Sequence, residues 1–165
     1  MKTGLWKTFA AQEVSHSVAH YLTAMADLHA DLGYARVSDV ARRLRVTKGS
    51  VSIQMKHLKE KGYVTEDPNR FLQLTPLGQT VVDDVRHNRE ALIRFLAKVL
   101  GVNSARAEED ACKMEHLLSP ETGRQILALV DLLQSDDPDA RRFVRKFKKF
   151  KAESKRSRPA RQRPR

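Results

Sequence analysis

Two short helical segments joined by a brief turn, with a small hairpin directly after them, limit most strongly the folds open to this chain. Residues 37–44 are predicted to form a two-turn helix that opens with a serine cap, and residues 47–61 a second helix that is ended by Gly62. The runs 63–65 and 71–74 are rich in β-forming residues and flank a turn-rich connection. This order of elements predicts a winged helix-turn-helix.

Most of the remaining chain shows the three- and four-residue spacing of apolar side chains that indicates α-helix. A first helix is predicted from about residue 14 to 31, with Gly33 as its stop signal. A long helix is predicted over 75–101, and two shorter helices over roughly 104–118 and 121–134. The expected fold class is therefore mainly α with a small β-hairpin wing: a winged helix-turn-helix followed by an α-helical domain.

Turn residues and charge divide the chain into three predicted parts. We expect a winged-helix domain over residues 1–75, a helical domain over 76–137 and a basic, partly disordered tail over 138–165. The acidic, proline-containing run at 136–139 is predicted to end the compact structure. Three phenylalanines allow a short basic amphipathic helix in the tail before a disordered final dozen residues: Phe143, Phe147 and Phe150.

The charge of the chain is concentrated at one end. The formal net charge is +11, but residues 141–165 carry +12 and the rest of the chain −1. The basic balance therefore belongs to an appendage and does not by itself show that the folded part binds nucleic acid. The tail can add salt-sensitive DNA affinity or serve as a solubilising extension.

The single cysteine and the lack of long apolar runs bear on the cellular location of the protein. Cys112 cannot form an intramolecular disulfide, which fits a reducing compartment. The sequence contains no long uncharged apolar run, and its start lacks a signal-peptide pattern. We therefore expect a cytoplasmic protein without a membrane partner.

The second helix of the predicted helix-turn-helix has a polar face suited to DNA. Val51, Met55 and Leu58 form its predicted buried stripe, which leaves small and polar residues to reach base edges and phosphates of a double-stranded operator. The alternative is a solvated helical hairpin that does not bind DNA. The predicted DNA-contacting residues are Arg36, Thr47, Lys48, Gly49, Ser50, Ser52, Gln54, Lys56 and Arg70, with Arg42 and Arg43 as further phosphate contacts.

A second constellation suggests a metal site. Cys112, Glu115 and His116 stand at positions i, i+3 and i+4, so on one helix they share a face that a single first-row divalent ion can bridge. The alternative is a buried cysteine beside a surface ion pair. Other candidate ligands, each equally well explained alone as an ordinary polar side chain, are His16, His20, Thr23, His87 and Glu108.

These segments together resemble the diphtheria toxin repressor family of metal-dependent regulators, which includes the manganese transport regulators. The resemblance covers about residues 14–134 and is most specific over 110–116, which is similar to the iron-responsive branch. It rests on His20-Tyr21-Leu22, Gly33-Tyr34-Ala35-Arg36-Val37-Ser38-Asp39-Val40-Ala41, Gly49-Ser50-Val51-Ser52, Phe95-Leu96, Leu100-Gly101-Val102 and Asp110-Ala111-Cys112-Lys113-Met114-Glu115-His116.

The resemblance implies a homodimeric repressor of metal-uptake genes, activated by Fe²⁺ or Mn²⁺. It implies the ligand set His20, Cys112, Glu115 and His116, with His16, Thr23, Glu108 and His87 as less certain members. Zn²⁺ and Co²⁺ are also expected to bind in vitro, because affinity rises along the divalent series. Arg89 and Ile93 stand where the family has ligands of an ancillary site, so one site per subunit is expected.

Three alternative functions stay open at this stage. The chain can be a winged-helix regulator that responds to an organic ligand or to oxidation of Cys112, or a DNA-binding protein that needs no metal, including an architectural one dominated by its tail. An enzyme with a Cys112–His116 nucleophile is disfavoured, since no oxyanion loop or third orienting group is evident. We expect a regulator and not an enzyme.

Overall fold

The computed structural model describes residues 14–156, apart from the side chains of Lys155 and Arg156. A π-helical turn, Phe95–Val99, prolongs the long helix, and a 3₁₀ turn, Glu115–Leu117, follows a later one. The predicted fold class, mainly α with a β-hairpin wing, is confirmed. Along the chain the helices and strands are α1 (His16–Leu32), α2 (Val37–Leu44), α3 (Lys48–Glu60), β1 (Val64–Glu66), β2 (Leu72–Leu74), α4 (Pro76–Arg94), α5 (Ser104–Met114), α6 (Pro120–Gln134) and α7 (Pro138–Arg156).

Hydroxyl caps and one left-handed glycine explain where the N-terminal helices begin and end. The side chains of Ser15, Thr47 and Thr75 accept hydrogen bonds from the backbone amides of the first turns of α1, α3 and α4. Helix α1 ends at Gly33, whose φ of 77° lies in the left-handed region that glycine adopts without a Cβ clash. These ends agree with the sequence prediction to within two residues. The serine cap predicted for α2 is wrong, because Arg36 occupies the N-cap position and its side chain makes no capping hydrogen bond.

The N-terminal half packs α1, α2 and α3 beneath the hairpin. Strands β1 and β2 are antiparallel, with Val64 opposite Leu74 and Glu66 opposite Leu72. Ala35 adds a single bridge to Leu72 and so attaches the chain between α1 and α2 to the hairpin. The buried core of this half is Val18, Tyr21, Leu22, Met25, Leu28, Ala35, Val40, Ala41, Val51, Met55, Leu58, Tyr63, Val64, Leu72 and Val82.

Helix α4 connects this half with the C-terminal helices. It packs against α1 on one side and against α5 and α6 on the other. Ion pairs lie on both sides: Arg86 Nη2 is 2.5 Å from Asp27 Oδ1 of α1, and Arg94 Nη2 is 2.5 Å from Asp131 Oδ1 of α6. A change in how α1 sits on α4 therefore bears on the orientation of the whole N-terminal half.

Packed structure continues beyond the predicted linker at residues 136–139. Helix α7 packs against α6, Ala140 is buried, and the Lys151 ammonium donates to the carbonyl oxygen of Leu100. The physical reason is the phenylalanine stripe, since Phe143 and Phe147 face an apolar surface near the π-helical turn. The disorder predicted for the last dozen residues falls mostly on 157–165, outside the described residues. No helix within 14–156 is both long and apolar enough to cross a membrane.

Candidate metal centre and DNA-binding surface

Three candidate ligands from two distant helices lie together in the structure. His16 and His20 of α1 and Cys112 of α5 each place one ligand atom within 4.8 Å of the others. The Cys112 Sγ and His20 Nε2 atoms are 3.3 Å apart across 92 residues of sequence. Two ligands on one tetrahedral ion, with bonds of roughly 2.0–2.3 Å, stand about 3.5 Å apart. The separation and the donor types therefore fit a single bound transition-metal ion.

His116 lies at the edge of this group. Its ring centroid is 5.0 Å from that of His16, and the His16 and His20 centroids are 4.4 Å apart. His116 is half-buried and belongs to the 3₁₀ turn that follows α5. The structure thus gathers three imidazoles and one thiol where α1 meets the end of α5.

The ligand atoms of Glu115 lie outside this close group, although its spacing predicts a shared face with Cys112. Helix α5 ends at Met114 and the 3₁₀ turn Glu115–Leu117 follows it, so the helix changes type between Cys112 and His116. The side chain of Glu115 is buried, with Oε2 3.7 Å from Arg89 Nη1 of α4 and without a hydrogen-bond partner among the described residues. Its role as a ligand stays a prediction of the sequence.

Asn88 is the residue that shapes this turn, and sequence reasoning missed it. Its Nδ2 donates to the carbonyl oxygens of Glu115 at 2.9 Å and Leu118 at 3.0 Å. Asn88 is 2% exposed, in the middle of α4. The signal in the sequence was an asparagine among the apolar residues of one helix face. Local periodicity gives no indication that its partners lie 27 and 30 residues away.

Burial and neighbouring charges shift the protonation of the group. Burial lowers the pKa of His20, and His16, Arg89 and His116 lower it further. Burial also lowers the pKa of His116, and the neighbouring His16 lowers it further. Burial raises the pKa of the Cys112 thiol, and Glu115 adds to that rise while Arg89 opposes it. The lowered pKa values of His20 and His116 favour their neutral, ligating forms, and a metal must displace the proton of the Cys112 thiol.

The remaining candidate ligands lie outside this close group of ligand atoms. Glu108 is exposed on α5, and Thr23 is half-buried on α1. His87 is half-buried on α4, with its ring next to Gly123 of α6, and its Nε2 is buried without a hydrogen-bond partner among residues 14–156. They stay predictions with no geometric support.

The predicted DNA-contacting face of α3 is open to solvent. Val51, Met55 and Leu58 are buried as expected, and Gln54 is half-buried. The Thr47 side chain caps the helix by accepting from the Ser50 amide at 3.1 Å. The other predicted contacts, all exposed, are Arg36, Thr47, Lys48, Gly49, Ser50, Ser52, Lys56 and Arg70.

Two arginines and one isoleucine add detail to this surface. The guanidinium of Arg36 lies 4.3 Å from the centroid of the Phe71 ring, which orients it beside the wing. Arg43 is paired with Asp27 and Asp31 of α1, which makes it a weaker phosphate contact than its sequence position suggested. Ile53 is 65% exposed on α3, so an apolar contact with a thymine methyl group is available there. Sequence reasoning did not single out Ile53.

Comparisons with known proteins agree with both parts of the site. Residues 13–72 match the iron dependent repressor N-terminal DNA binding domain, and residues 75–142 match the iron dependent repressor metal binding and dimerisation domain. The chain belongs to the iron-dependent repressor family. As a member of this family it is a metal-dependent transcriptional regulator, as the resemblance implied.

Relatives within the family include manganese regulators and the diphtheria toxin repressor. The HTH-type transcriptional regulator MntR of Lysinibacillus sphaericus is 36% identical over 112 residues, which are 68% of this chain and 79% of that protein. The transcriptional regulator MntR of Salmonella typhimurium is 36% identical over 66% of this chain and 68% of its own length. The diphtheria toxin repressor of Corynebacterium glutamicum is 27% identical over 56% of this chain and 40% of its own length. These relatives are transcriptional regulators.

Solved structures share the iron-dependent repressor fold. The metal-dependent transcriptional regulator MtsR superposes with a TM-score of 0.62 at 20% identity, covering 69% of this chain and 53% of that one. ScaR with bound Zn²⁺ gives a TM-score of 0.60 at 24% identity, again over 69% and 53%. The chain thus spans about half the length of these two structures.

The buried carboxyl of Glu115 gives this iron-dependent repressor a testable pH dependence. Burial raises the pKa of Glu115 to about 7 from an ordinary value of 4.5, against the opposing effect of Arg89. As pH rises between those values the unfolded chain loses its proton first, so stability falls. Replacing Glu115→Gln should therefore raise the free energy of unfolding of metal-stripped protein at about pH 8 by up to about 3 kcal/mol, at 1.36 kcal/mol per pKa unit.

Urea denaturation of both proteins between about pH 5 and pH 8 measures this difference. The gain should shrink toward the acid end, where the wild-type carboxyl is neutral in the folded chain. Glu90→Gln, a change at an exposed carboxyl on α4, serves as the control and should show no such trend. A variant less stable than wild type at about pH 8 would mean that the pair with Arg89 outweighs burial.

Proposed function

We propose that the chain represses metal-ion homeostasis genes by binding operator DNA as a homodimer when a divalent transition metal, Fe²⁺ or Mn²⁺, is bound. The observation that carries the proposal is the 3.3 Å approach of His20 Nε2 on α1 to Cys112 Sγ on α5. One of these two donors belongs to the DNA-binding half and the other to the C-terminal half, and their separation would suit a single ion. We infer a cytoplasmic location from the DNA partner.

Of the four ligands predicted from the sequence, we retain His20, Cys112 and His116. These three residues would hold the ion, which would supply coordination bonds between α1 and the segment at the end of α5. His20 sits on the helix whose opposite face contributes Leu22, Met25 and Leu28 to the core of the DNA-binding half. Fixing His20 against Cys112 therefore fixes the orientation of that core, and of α3 with it.

The metal acts by shifting a population of orientations. The bound form favours the arrangement in which the α3 helices of two subunits meet successive major grooves. Residues 75–142, which match the metal binding and dimerisation model, support the homodimer. We propose the same division into a DNA-binding domain that ends at residue 75 and a metal-binding and dimerisation domain that ends at residue 137. Helix α4 connects the two. Exposed basic residues of α7 would add contacts with phosphates.

Competing functions receive less support from the site. A cavity of about 210 Å³ lies beside Glu115, His116 and Asn88, below the roughly 300–1,000 Å³ of typical small-molecule pockets. Burial raises the pKa of the Cys112 thiol, which disfavours the thiolate needed for oxidation or nucleophilic attack. We therefore propose neither an organic-ligand sensor, nor a redox switch, nor an enzyme.

The test is fluorescence anisotropy of chelator-stripped, reduced protein on duplex fragments of its own genome, with and without Mn²⁺ or anaerobic Fe²⁺. Metal should increase the affinity for a selected fragment at least about tenfold, a coupling within the usual allosteric range. Cys112→Ala and His116→Ala should each abolish that increase and leave the weak, salt-sensitive binding to any duplex unchanged.

A matched substitution separates metal coupling from a general defect. Lys48 is exposed at the start of α3 and belongs to the predicted DNA-contacting set, so Lys48→Ala affects DNA contact without touching the candidate metal ligands. It should lower affinity with and without metal by a similar factor. Equal binding of wild-type protein in the presence and absence of metal would overturn the proposal and leave a metal-independent winged helix.

A further inference from the structure

We propose that His16, and not Glu115, completes the metal site of this chain. All the ligand atoms of the site are then nitrogen or sulfur, and the site discriminates against Mn²⁺. The inference rests on the proposed function and narrows the identity of its metal. Its donors are the imidazoles of His16, His20 and His116 and the thiolate of Cys112. Such a set takes the later first-row ions, Fe²⁺, Co²⁺ and Zn²⁺, in preference to manganese.

The first argument concerns the carboxylate that the site lacks. Glu115 is 2% exposed, and its Oε2 atom lies 3.7 Å from Arg89 Nη1. A guanidinium cannot lose its proton or coordinate a metal, so Arg89 is a permanent partner for this carboxylate. If Glu115 turned to bind an ion, the Arg89 guanidinium would lie beside a second cation with no carboxylate to balance its charge. The contact gives this carboxylate a charged partner outside the group formed by His16, His20 and Cys112.

The second argument concerns the histidine that takes its place. His16 stands one helical turn before His20, and its ring centroid is 4.4 Å from that of His20 and 5.0 Å from that of His116. Its ligand atom lies within 4.8 Å of those of both His20 and Cys112. His16 is exposed in the first turn of α1, so its side chain can turn toward an ion without breaking core packing.

The donor types then determine the preferred ion. Carboxylate and water oxygens suit Mn²⁺, whereas imidazole and thiolate suit Zn²⁺ and its neighbours in the series. Four nitrogen and sulfur donors form a tetrahedral set, which Zn²⁺ and Co²⁺ accept readily. The 3.3 Å between Cys112 Sγ and His20 Nε2 is already close to a tetrahedral edge. Without Glu115 the site offers manganese no oxygen donor from the described side chains of this cluster.

Co²⁺ is the probe that reports donor set and geometry directly. Full-length, chelator-stripped protein titrated with Co²⁺ should show intense visible d–d bands of a four-coordinate ion and a near-ultraviolet thiolate charge-transfer band. His16→Ala should lose most of the visible intensity and weaken Zn²⁺ binding at least about tenfold in competition with a chromophoric chelator. Glu115→Gln should keep the spectrum, with affinity within about threefold of wild type.

The control and the competing ion make the result decisive. His57→Ala, a change at an exposed histidine on α3, should leave spectrum and affinity unchanged, and circular dichroism checks that every variant is folded. Mn²⁺ should fail to displace Co²⁺ at concentrations where Zn²⁺ does so completely. Loss of the spectrum in Glu115→Gln but not in His16→Ala, or effective displacement by Mn²⁺, would overturn the inference. If these results hold while DNA binding ignores all metals, the proposed function fails and the inference stands.

Discussion

Replacing Gly78 with alanine should destabilise the protein by at least about 2–3 kcal/mol, the usual cost of overpacking a buried site. A Cβ at this position would lie 2.1 Å from the carbonyl oxygen of Tyr63. That carbonyl accepts from the Thr75 amide at 3.0 Å, and the Tyr63 amide donates to the Leu58 carbonyl at 2.9 Å. The backbone is therefore held from both sides and cannot move away as a flexible side chain would.

Urea denaturation followed by far-ultraviolet circular dichroism measures this loss. Gly49→Ala is the matched control, because the nearest atom to its new Cβ is Thr47 Oγ1 at 3.8 Å. Alanine there should keep or raise stability, by up to about 1 kcal/mol from helix propensity. Equal urea midpoints for Gly78→Ala and wild type would show that the base of the wing can shift, and would weaken the view of α4 as a firm connection to the DNA-binding half.

The sequence allowed the N-terminal half to be predicted nearly completely. Caps such as Thr47, stops such as Gly33 and the alternation around the hairpin are local signals that act within one turn of the chain. The exposed face of α3 followed from the same periodicity, because Val51 and Met55 repeat with the helix. Ile53 was missed because an apolar residue on a polar face gives no sign of its partner.

The arrangement of the candidate metal ligands was harder to predict, because it depends on contacts between residues that are far apart in the sequence. The spacing of Cys112, Glu115 and His116 predicts a shared face for a regular α-helix, and the structure changes to a 3₁₀ turn at Glu115. What holds the following turn is Asn88, 27 and 30 residues away from its two acceptors. The pair of Arg89 with Glu115 and the approach of His16 are likewise tertiary. The sequence pointed to these side chains as candidates, and packing determined which of them lie close together.

Asn88→Ala should be the most damaging single change near the metal group. It leaves the carbonyl oxygens of Glu115 and Leu118 without their Nδ2 donor, one in a buried and one in a partly buried hydrogen bond, at about 1–3 kcal/mol for each unsatisfied group. We expect a loss of about 2–5 kcal/mol in urea denaturation. Since the same turn presents His116, Zn²⁺ affinity should fall as well. A variant with unchanged stability and metal affinity would show that the turn is held by other contacts.

Gly123 provides the partner for a double-mutant cycle that isolates this contact. A Cβ on Gly123 would lie 1.9 Å from Asn88 Oδ1 and 3.0 Å from its Cγ, so Gly123→Ala must push the carboxamide off its two carbonyls. In the Asn88→Ala background those atoms are gone, and the same change should be neutral or stabilising through helix propensity. The cycle should therefore show a coupling of at least about 1 kcal/mol, within the range for contacting residues. Additive effects would mean that α6 does not press on Asn88, and that the turn carrying His116 is positioned independently of α6.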